Sequence, residues 1–438
     1  MRTRYTGGEI FDRQSGKLMP ADILTQDGFV TAVGREAVSV PADRVFSLSG
    51  CAIFPGFTDV HVHFREPGFS YKETIRTGSL AAARGGYTQV CAMPNLNPPP
   101  DSMEHLKAEQ EIIDRDAAIR VHPFASITLG QRGEGELVDF ASLAGSTVGF
   151  SDDGRGVRDR ETMREAMRRC KASGGIISAH CEDTSLIPKG AGIHAGRYAS
   201  AHNLPGIPSE SEWGPIARDI ELCGETGCRY HVCHVSAKES VALIRKAKRE
   251  GINITCETAP HYLLLCEDDL PDDPYAPDAG RFKMNPPLRS REDRDALLEG
   301  LLDGTIDCIA TDHAPHSAEE KAKGLTGSAM GIVGIETAFP LLYTHLVLTG
   351  KVPLALLMDR LCYRPRARFR MDGGIEVGDR LELTAFDLNA RETIDPRTFL
   401  SKGKATPFAG WPVSARCRMT VIGETICYRD DKENTDAR

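Results

Sequence analysis

The chain has 438 residues, 41% of them hydrophobic, and a net charge of −9 at pH 7. This length exceeds one ordinary domain, although a barrel of ~250 residues also counts as one. The acidic balance and the lack of any run of Lys and Arg argue against nucleic acid or an anionic membrane surface as a partner, whereas a small acidic substrate needs only a local cation.

The N-terminal segment MRTRYTGGEIFDRQ has no apolar stretch of signal-peptide length, and no part of the chain approaches a membrane span. The thirteen cysteines form no CxxC pair, so the usual thiolate zinc site is not expected. Most of them are predicted to be small buried residues of a protein from a reducing compartment. We therefore expect a cytoplasmic protein.

The two ends of the chain share one pattern. Residues 1–54 predict short strands, with a turn at Asp27-Gly28 in ADILTQDGFVTAVG, and the segments GGIEVGDRLELTAFDL and ARCRMTVIGETICYRD near the C-terminus look similar. Helical periodicity is missing from both ends. We predict terminal regions at 1–54 and 366–438 around a central domain at 55–365, with a solvated charged tail at the C-terminus.

The central region alternates between short β-branched runs and amphipathic helical stretches. The eight runs are near 58–63, 88–93, 119–127, 148–150, 176–180, 229–234, 252–258 and 306–312. Helical stretches between them, such as RETMREAMRRCKASGG and SREDRDALLEGLLDG, often end in glycine, as helices commonly do. Eight βα units predict a closed parallel barrel, with an open doubly wound sheet as the alternative. The absence of GxGxxG and of a P-loop after the first strand disfavours the open sheet.

Polar residues recur where these runs end. The candidates for binding a metal or a polar substrate are His61, His63, Asn95, Asp152, Asp153, His180, His234 and Asp312. In a parallel barrel the C-terminal strand ends converge on one mouth, which is where active sites lie. His61 and His63 are two residues apart, so both point to the same side of a strand and can share one ion. Imidazoles and carboxylates suit Zn²⁺, and a carboxylate between two ions could hold a pair of metals.

Three further residues suit an anionic substrate. Arg65 lies two residues beyond His63 and can lean towards the same mouth, where its planar guanidinium suits bidentate binding of a carboxylate. Asn95 in MPN and Asn285 in KMNPPLR could share that anion.

Asp312, in TDHAPH, can both ligate a metal and accept a proton from water.

Other histidines fit structural roles better. His231 is three residues before His234, so it is predicted to face the opposite way along a strand, and His122 is predicted to pack within its strand. His313 is predicted to point away from the mouth, whereas the orientations of His202 and His261 stay open.

At this point a family resemblance can be stated. The chain resembles the type I dihydroorotases of the metal-dependent amidohydrolase superfamily through motifs that run in the expected order from about residue 55 to 340: DVHVHFREPG, AMPNLNP, GFSDDG, AHCED, HVCHVSA, ETAPHYLLL, FKMNPPLR, ATDHAPH and GIVGIET. The resemblance implies a (β/α)8 barrel with a small β-sandwich built from both chain ends. It also implies reversible cyclisation of N-carbamoyl-L-aspartate to dihydroorotate, the third step of de novo pyrimidine synthesis.

The resemblance assigns roles residue by residue. His61 and His63 would bind a first zinc, His180 and His234 a second, and an aspartate of GFSDDG would bridge them, Asp153 being favoured over Asp152. Asp312 would complete the first site and act as general base. The substrate carboxylate and ring would be held by Arg65, Asn95, Asn285, His316 and backbone groups at Met330 and Gly331.

Two departures from the family pattern bear on the metals. Many relatives bridge their ions with a carboxylated lysine at strand four, where this chain has SDDG, so one or two zinc ions are expected, with a bridged pair favoured. Met330 stands where phenylalanine is expected.

The alternatives are a sister cyclic amidase, such as a hydantoinase, dihydropyrimidinase or allantoinase, and an inactive scaffold for aspartate carbamoyltransferase. Arg65 and His316 favour the carboxylate-bearing substrate over the first, and the complete ligand set disfavours the second. A homo-oligomer is expected, and a complex of the active enzyme with the transferase stays open.

Overall fold

The computed structural model describes residues 1–430, so the predicted charged tail lies largely outside the described residues. The chain begins with seven strands: β1 (Arg2–Thr6), β2 (Glu9–Asp12), β3 (Lys17–Pro20), β4 (Ile23–Gln26), β5 (Phe29–Val33), β6 (Arg44–Ser47) and β7 (Ala52–Pro55). The turn predicted at Asp27-Gly28 joins β4 to β5, where both residues have positive φ.

The central region then contributes ten strands: β8 (Phe57–Val62), β9 (Tyr87–Ala92), β10 (Arg120–Ala125), β11 (Gly149–Phe150), β12 (Ile177–Ala179), β13 (Ile193–His194), β14 (Gly206–Ile207), β15 (Tyr230–Val232), β16 (Ile254–Thr258) and β17 (Cys308–Ile309). Strands β13 and β14 pair only with each other. The other eight form one parallel sheet in the order β8-β9-β10-β11-β12-β15-β16-β17, and each corresponds to one of the eight predicted runs.

The sheet closes on itself. Val62, at the end of β8, pairs in parallel with His313 beyond β17, and the His63 amide donates to the His313 carbonyl at 2.9 Å. The predicted barrel is therefore confirmed, and the open sheet is wrong.

Helices follow most barrel strands. The α-helices are Arg35–Ser39, Ile75–Arg84, Met103–Asp116, Phe140–Leu143, Arg160–Ala172, Arg197–Ala201, Glu210–Thr226, Lys238–Arg249, Pro260–Leu264, Arg291–Leu302, Ala318–Lys321, Gly324–Gly327, Ala338–Leu342, Leu354–Met358 and Arg364–Phe369. Thr74, Asp159 and Ser290 each accept a hydrogen bond from the amide three residues on, which satisfies a free N–H of the first turn. None of the helices in residues 1–430 is long and apolar enough to cross a membrane.

The chain ends build a β-sandwich. The last strands are β18 (Glu382–Thr393), β19 (Pro412–Ile422) and β20 (Thr425–Arg429). One sheet has the order β5-β4-β1-β6, and the other, β20-β19-β18-β7-β2-β3, mixes strands from both ends of the chain. Tyr5, Ile23, Ile53, Leu383 and Val421 belong to one buried cluster shared by the two sheets. The predicted sandwich is confirmed, whereas the division at residues 54 and 365 stays a prediction.

Glu382 joins the sandwich to the barrel. Its fully buried carboxylate accepts hydrogen bonds from Arg366 and Arg120, each at 2.9 Å. Thr88 and Gln89 of β9 donate to the same carboxylate at 2.8 and 2.9 Å. Because every donor lies in the barrel or the helix that follows it, Glu382 anchors the first residue of the sandwich strand β18 to the barrel.

We expect Glu382→Ala to lower the free energy of unfolding by about 3–5 kcal/mol, because it leaves the buried Arg366 cation without its partner. Glu221→Ala, which removes an exposed partner of Arg160, is the control and should cost at most about 1 kcal/mol. Urea unfolding followed by circular dichroism measures both. Equal effects of the two substitutions would contradict the role assigned to Glu382.

Candidate active site

Five barrel strands bring to the mouth six side chains of types that can bind a metal. His61 and His63 lie at the end of β8, and Asp153, His180, His234 and Asp312 follow β11, β12, β15 and β17. All six residues are buried, with at most 6% of their surface exposed.

Asp153 lies at the centre of this cluster. Its Oδ1 atom is 3.4 Å from His61 Nε2 and 3.5 Å from both His180 Nδ1 and His234 Nε2. Its Oδ2 atom is 3.6 Å from His63 Nε2. One carboxylate thus faces the imidazoles of both predicted halves of the site.

Asp152 has a different role in the structure. Its carboxylate accepts hydrogen bonds from the amides of Ile127, Thr128 and Gly133 and from the Thr128 hydroxyl. Asp152 therefore holds the loop after β10, while its neighbour Asp153 faces the histidines.

Asp312 completes the cluster on the His63 side. Its Oδ1 atom is 2.9 Å from His63 Nε2 and 3.5 Å from His61 Nε2. Both His61–His63–Asp312 and His61–Asp153–His234 offer ligand atoms within 4.8 Å of one another.

These residues fit a divalent metal ion. His61 Nε2 and Asp153 Oδ1 are buried, face one another, and have no hydrogen-bond partner among the described residues. Such orphaned buried atoms are costly unless something satisfies them. Nitrogen and oxygen donors from histidine and aspartate are the set that Zn²⁺ accepts.

Glu257, on β16, holds two residues of the cluster in position. Its Oε1 atom accepts hydrogen bonds from His61 Nδ1 at 2.7 Å and from the His234 amide at 3.2 Å. Because Nδ1 of His61 carries the donated hydrogen, Nε2 keeps its lone pair for a metal. A carboxylate behind a ligating histidine is a common way to fix the tautomer and ring orientation.

The prediction for His231 is wrong. His231 Nε2 is 3.1 Å from Oε2 of Glu257, so its ring lies on the same interior side as His234. Strand β15 ends at Val232, and His234 has a φ of 34°, so the alternation of side chains breaks between the two histidines.

Asp59 braces the two strands that close the barrel. It accepts hydrogen bonds from the Thr311 hydroxyl at 2.6 Å and from the His61 amide at 3.0 Å. Burial raises the pKa of Asp59 to about 7 against the opposing effect of these hydrogen bonds. Asp59 therefore sets the spacing between His61 and Asp312, the residue after Thr311.

Three site residues have left-handed backbone conformations. Arg65, His234 and Asp312 have φ values of 62°, 34° and 47°. Residues other than glycine adopt such angles at a cost of about 1–3 kcal/mol, and they cluster at functional sites. In each case the chain turns just after a barrel strand, and the left-handed conformation directs the side chain into the mouth.

The buried carboxylates and imidazoles of the cluster stabilise one another's charged forms. Burial opposes charge on Asp153, but His61, His180 and His234 outweigh it and hold the pKa of the carboxyl well below its usual value. Burial likewise opposes charge on His180, yet Asp153 and Glu182 raise the pKa of His180 to about 10. Proton and metal ion therefore compete for the same imidazoles.

The predicted substrate residues surround this cluster. Arg65 is half-buried, with Nη2 3.4 Å from His316 Nε2. Asn95 donates to the Asp153 carbonyl at 2.6 Å, and Asn285 donates to Glu182 at 2.8 Å.

The loop at Met330 and Gly331 is held by two hydrogen bonds. The Met330 carbonyl lies 2.8 Å from His316 Nε2, and the Gly331 amide donates to the Lys283 carbonyl at 3.1 Å. Gly331 has a φ of 135°, and a Cβ there would lie 2.6 Å from the Ala314 carbonyl oxygen, so only glycine fits.

The remaining histidines divide clearly. His313 points away from the cluster towards Glu73, 3.6 Å from its carboxylate, and His122 packs against Gln89 at 2.9 Å, both as predicted. His202 stacks on Tyr198 with 4.0 Å between ring centroids. His261 is buried, its Nε2 has no partner among the described residues, and burial lowers its pKa to about 4.

Glu257 and Glu182 were missed by the sequence analysis. Both follow the rule that identified the others, since Glu257 lies near the end of β16 and Glu182 two residues beyond His180. Both glutamates are found from the sequence when glutamate is counted with histidine, aspartate and asparagine at the strand ends.

The chain also has extensive similarity to known proteins. Residues 50–240 match the family described as dihydro-orotase-like. Proteins named dihydroorotase from Geobacillus sp. (strain WCH70) and Bacillus caldolyticus are 49% and 51% identical to it, covering 97% and 95% of this chain and 98% and 96% of theirs. The solved structure of an L-hydantoinase (dihydropyrimidinase) from Arthrobacter aurescens superposes with a TM-score of 0.86 at 26% identity, over 98% of this chain and 96% of that one.

A closed parallel barrel with buried histidines and aspartates at its C-terminal mouth, together with this structural similarity, defines a metal-dependent amidohydrolase that acts on cyclic amides. Within that class, the family follows from the sequence: the chain is about 50% identical to these dihydroorotases over almost its whole length. The chain belongs to the dihydroorotase family.

We expect Glu257→Gln to weaken the affinity for a divalent metal such as zinc about 10–100-fold, because an amide oxygen accepts the His61 hydrogen less strongly than a carboxylate. Glu109→Gln is the matched control: Glu109 is equally buried but lies on the helix Met103–Asp116, and burial raises its pKa well above the usual value. Competition with a zinc chelator measures both affinities. An unchanged affinity in Glu257→Gln would contradict the role of this carboxylate.

Binding of a divalent metal such as zinc should release protons at neutral pH. With a pKa of about 10, His180 is protonated at pH 7.5 and would have to lose its proton to become a ligand, so affinity should rise with pH between about 6 and 9. Calorimetric titration of zinc into apoprotein, in two buffers of different protonation enthalpy, counts the released protons. A count of zero at pH 7.5 would contradict this charge state.

Proposed function

We propose that the chain catalyses the dihydroorotase reaction, the reversible cyclisation of N-carbamoyl-L-aspartate to (S)-dihydroorotate and water in pyrimidine biosynthesis. The observation that carries this proposal is the pair formed by Arg65 and His316, 3.4 Å apart beside the buried histidine cluster. Such a cationic, hydrogen-bonding pair suits a cyclic amide whose ring bears a carboxylate.

The cofactor is proposed to be zinc, as one ion or as a pair. His61, His63 and Asp312 would hold the first ion, His180 and His234 the second, and Asp153 would bridge them. The contacts of Asp153 with all four histidines support this arrangement, as do the separate contacts of Asp152 with backbone amides. Zinc bound there would polarise the carbonyl under attack and favour ionisation of the attacking water.

Asp312 is proposed to move the proton. In the hydrolytic direction it would take a proton from the attacking water and return it to the ring nitrogen that leaves, and ring closure follows the reverse path. Burial raises the pKa of Asp312, but His63 and the other histidines outweigh it and hold the pKa below its usual value, so the carboxylate starts ionised. Its Oδ1 atom lies 2.9 Å from His63, at the edge of the cluster.

The substrate carboxylate is proposed to lie against Arg65, with Asn95, Asn285 and His316 around it and Met330 and Gly331 against the ring. Arg65 supplies a cation that burial keeps poorly hydrated, which strengthens its interaction with an entering carboxylate. Asn95 and Asn285 each have a buried amide oxygen without a partner among the described residues, so each oxygen can accept a hydrogen bond from an N–H of the ligand.

A hydantoinase-like activity is the second candidate, because the solved structures that superpose well include hydantoinases and dihydropyrimidinases. Those names describe cyclic amides without a ring carboxylate, for which Arg65 would have no partner. The inactive scaffold is disfavoured because all six proposed ligands lie together. A cytoplasmic location, a homo-oligomer and assembly with aspartate carbamoyltransferase are further proposals.

The decisive experiment assays the zinc-loaded protein on dihydroorotate, carbamoyl aspartate, dihydrouracil and hydantoin, with and without the transferase. We expect turnover of the first two, a loss of about 10²–10⁴ in kcat for Asp312→Asn, and a KM about 10–100-fold higher for Arg65→Ala. Asp295→Asn and Arg397→Ala alter exposed side chains and serve as controls.

Turnover of hydantoin or dihydrouracil in preference to dihydroorotate would favour the sister amidase. No turnover of any substrate, with zinc bound and the transferase present, would overturn the proposal. An unchanged KM in Arg65→Ala would remove Arg65 from the carboxylate site.

A further inference from the structure

Lys72 lies in the loop after β8 and takes no part in the proposed mechanism. Its Nζ atom is 3.2 Å from His316 Nδ1 and 3.0 Å from Glu320 Oε1, and its side chain is 15% exposed. It also lies 5.6 Å from the ring centroid of Phe69 and 5.5 Å from that of Tyr71, in the range of cation–π contacts. These contacts confine the ammonium group beside His316.

The neighbours of the two ring nitrogens of His316 favour one tautomer. Nε2 lies 2.8 Å from the Met330 carbonyl, which can only accept a hydrogen bond, and 3.4 Å from Arg65 Nη2, which can only donate; the closer carbonyl favours a hydrogen on Nε2. The Lys72 ammonium group, 3.2 Å from Nδ1, can only donate, so Nδ1 presents its lone pair to it. The Met330 and Lys72 contacts together specify one neutral tautomer.

Glu320 is the competing partner. Its Oε2 atom also lies 3.2 Å from Nδ1 and would accept a hydrogen from a protonated ring. That carboxylate is already engaged by the Ser317 amide at 3.1 Å, by the Tyr71 hydroxyl at 3.1 Å and by Lys72. Burial, Arg65 and Lys72 together lower the pKa of His316 to about 3, which agrees with a neutral ring.

We propose that Lys72 is a positioning residue of the substrate site: it holds His316 as the neutral tautomer with the hydrogen on Nε2, and through Glu320 it joins the loop that carries Arg65 to the loop that carries His316. This inference rests on the proposed function only for the identity of the anion that is bound. His316 then offers a hydrogen-bond donor, and Arg65 the charge, to the same carboxylate.

The tautomer has a consequence for the substrate. In that tautomer the Nε2 hydrogen is donated to the Met330 carbonyl, 2.8 Å away. A carboxylate entering beside Arg65 takes that hydrogen bond and leaves the Met330 carbonyl free to accept an N–H of the substrate ring. When His316 Nε2 exchanges the Met330 carbonyl for the substrate carboxylate as its acceptor, recognition of the carboxylate is linked to recognition of the ring amide.

Nitrogen-15 NMR of histidine-labelled enzyme tests the tautomer without any substrate, with His316→Gln used to assign the signals. We expect a protonated Nε2 and an unprotonated Nδ1 in the wild type and in Glu320→Gln, and a hydrogen on Nδ1 in Lys72→Met, where Glu320 becomes its acceptor. A wild-type ring with a hydrogen on Nδ1 would overturn the proposal, whatever the enzyme turns over.

Kinetics separate positioning from loop stability. We expect Lys72→Met to raise KM for dihydroorotate about tenfold with little change in kcat, and Lys72→Arg to restore most of the affinity. Lys402→Met is the matched control, because exposed Lys402 also tethers this loop, donating to the Ser70 carbonyl at 2.5 Å, but has no such contact with His316.

Equal increases of KM in Lys72→Met and Lys402→Met would show that only loop tethering matters, and would overturn the proposal. If the wild type does not turn over dihydroorotate, the proposed function fails, while the NMR result still decides the role of Lys72.

Discussion

The barrel mouth depends on a single buried carboxylate shared by four imidazoles. Asp153 lies within 3.6 Å of His61, His63, His180 and His234, which arrive on three different strand ends. An ionised carboxylate in the interior is stable only if cations or hydrogen-bond donors surround it, so the strands must hold the histidines in place. The register of β8, β11, β12 and β15 is therefore constrained by electrostatics as well as by packing.

Acidic residues behind the histidines hold the histidines and their backbone in position. Glu257 fixes His61 and the backbone of His234, and Asp59 ties β8 to the turn that presents Asp312. Behind that turn, Glu73 lies 3.6 Å from His313 and accepts from the Ser401 hydroxyl, so a segment near the sandwich contacts the back of the mouth. Geometry at the site is thus supported by residues from distant parts of the chain.

Much of this could be predicted because it follows from periodicity and from the rule that parallel strands present their C-terminal ends together. All eight barrel strands and the convergence of His61, His63, His180, His234 and Asp312 follow from that reasoning alone. What failed depended on single backbone angles. Strict alternation placed His231 opposite His234, but strand β15 ends at Val232 and His234 has a left-handed φ, so both rings lie inside.

Other features could not be predicted from spacing at all. Asp152 and Asp153 are adjacent, and only the loop amides of Ile127, Thr128 and Gly133 decide that the first is engaged elsewhere. Lys72 lies in a loop with no periodic pattern, and its neighbours His316 and Glu320 are far along the chain. Such pairings depend on loop conformation, which local sequence does not encode.

The mixed sheet of the sandwich has a consequence for how the protein is made. Strand β7 runs directly into the first barrel strand, yet one of its edges pairs with β18, which the ribosome produces only after the whole barrel. During synthesis that edge stays open, and an open edge invites pairing with other chains. Strand β18, which emerges late, therefore covers the open edge of β7, which emerges early. This edge is protected from pairing with other chains only after β18 has been made and has paired with β7.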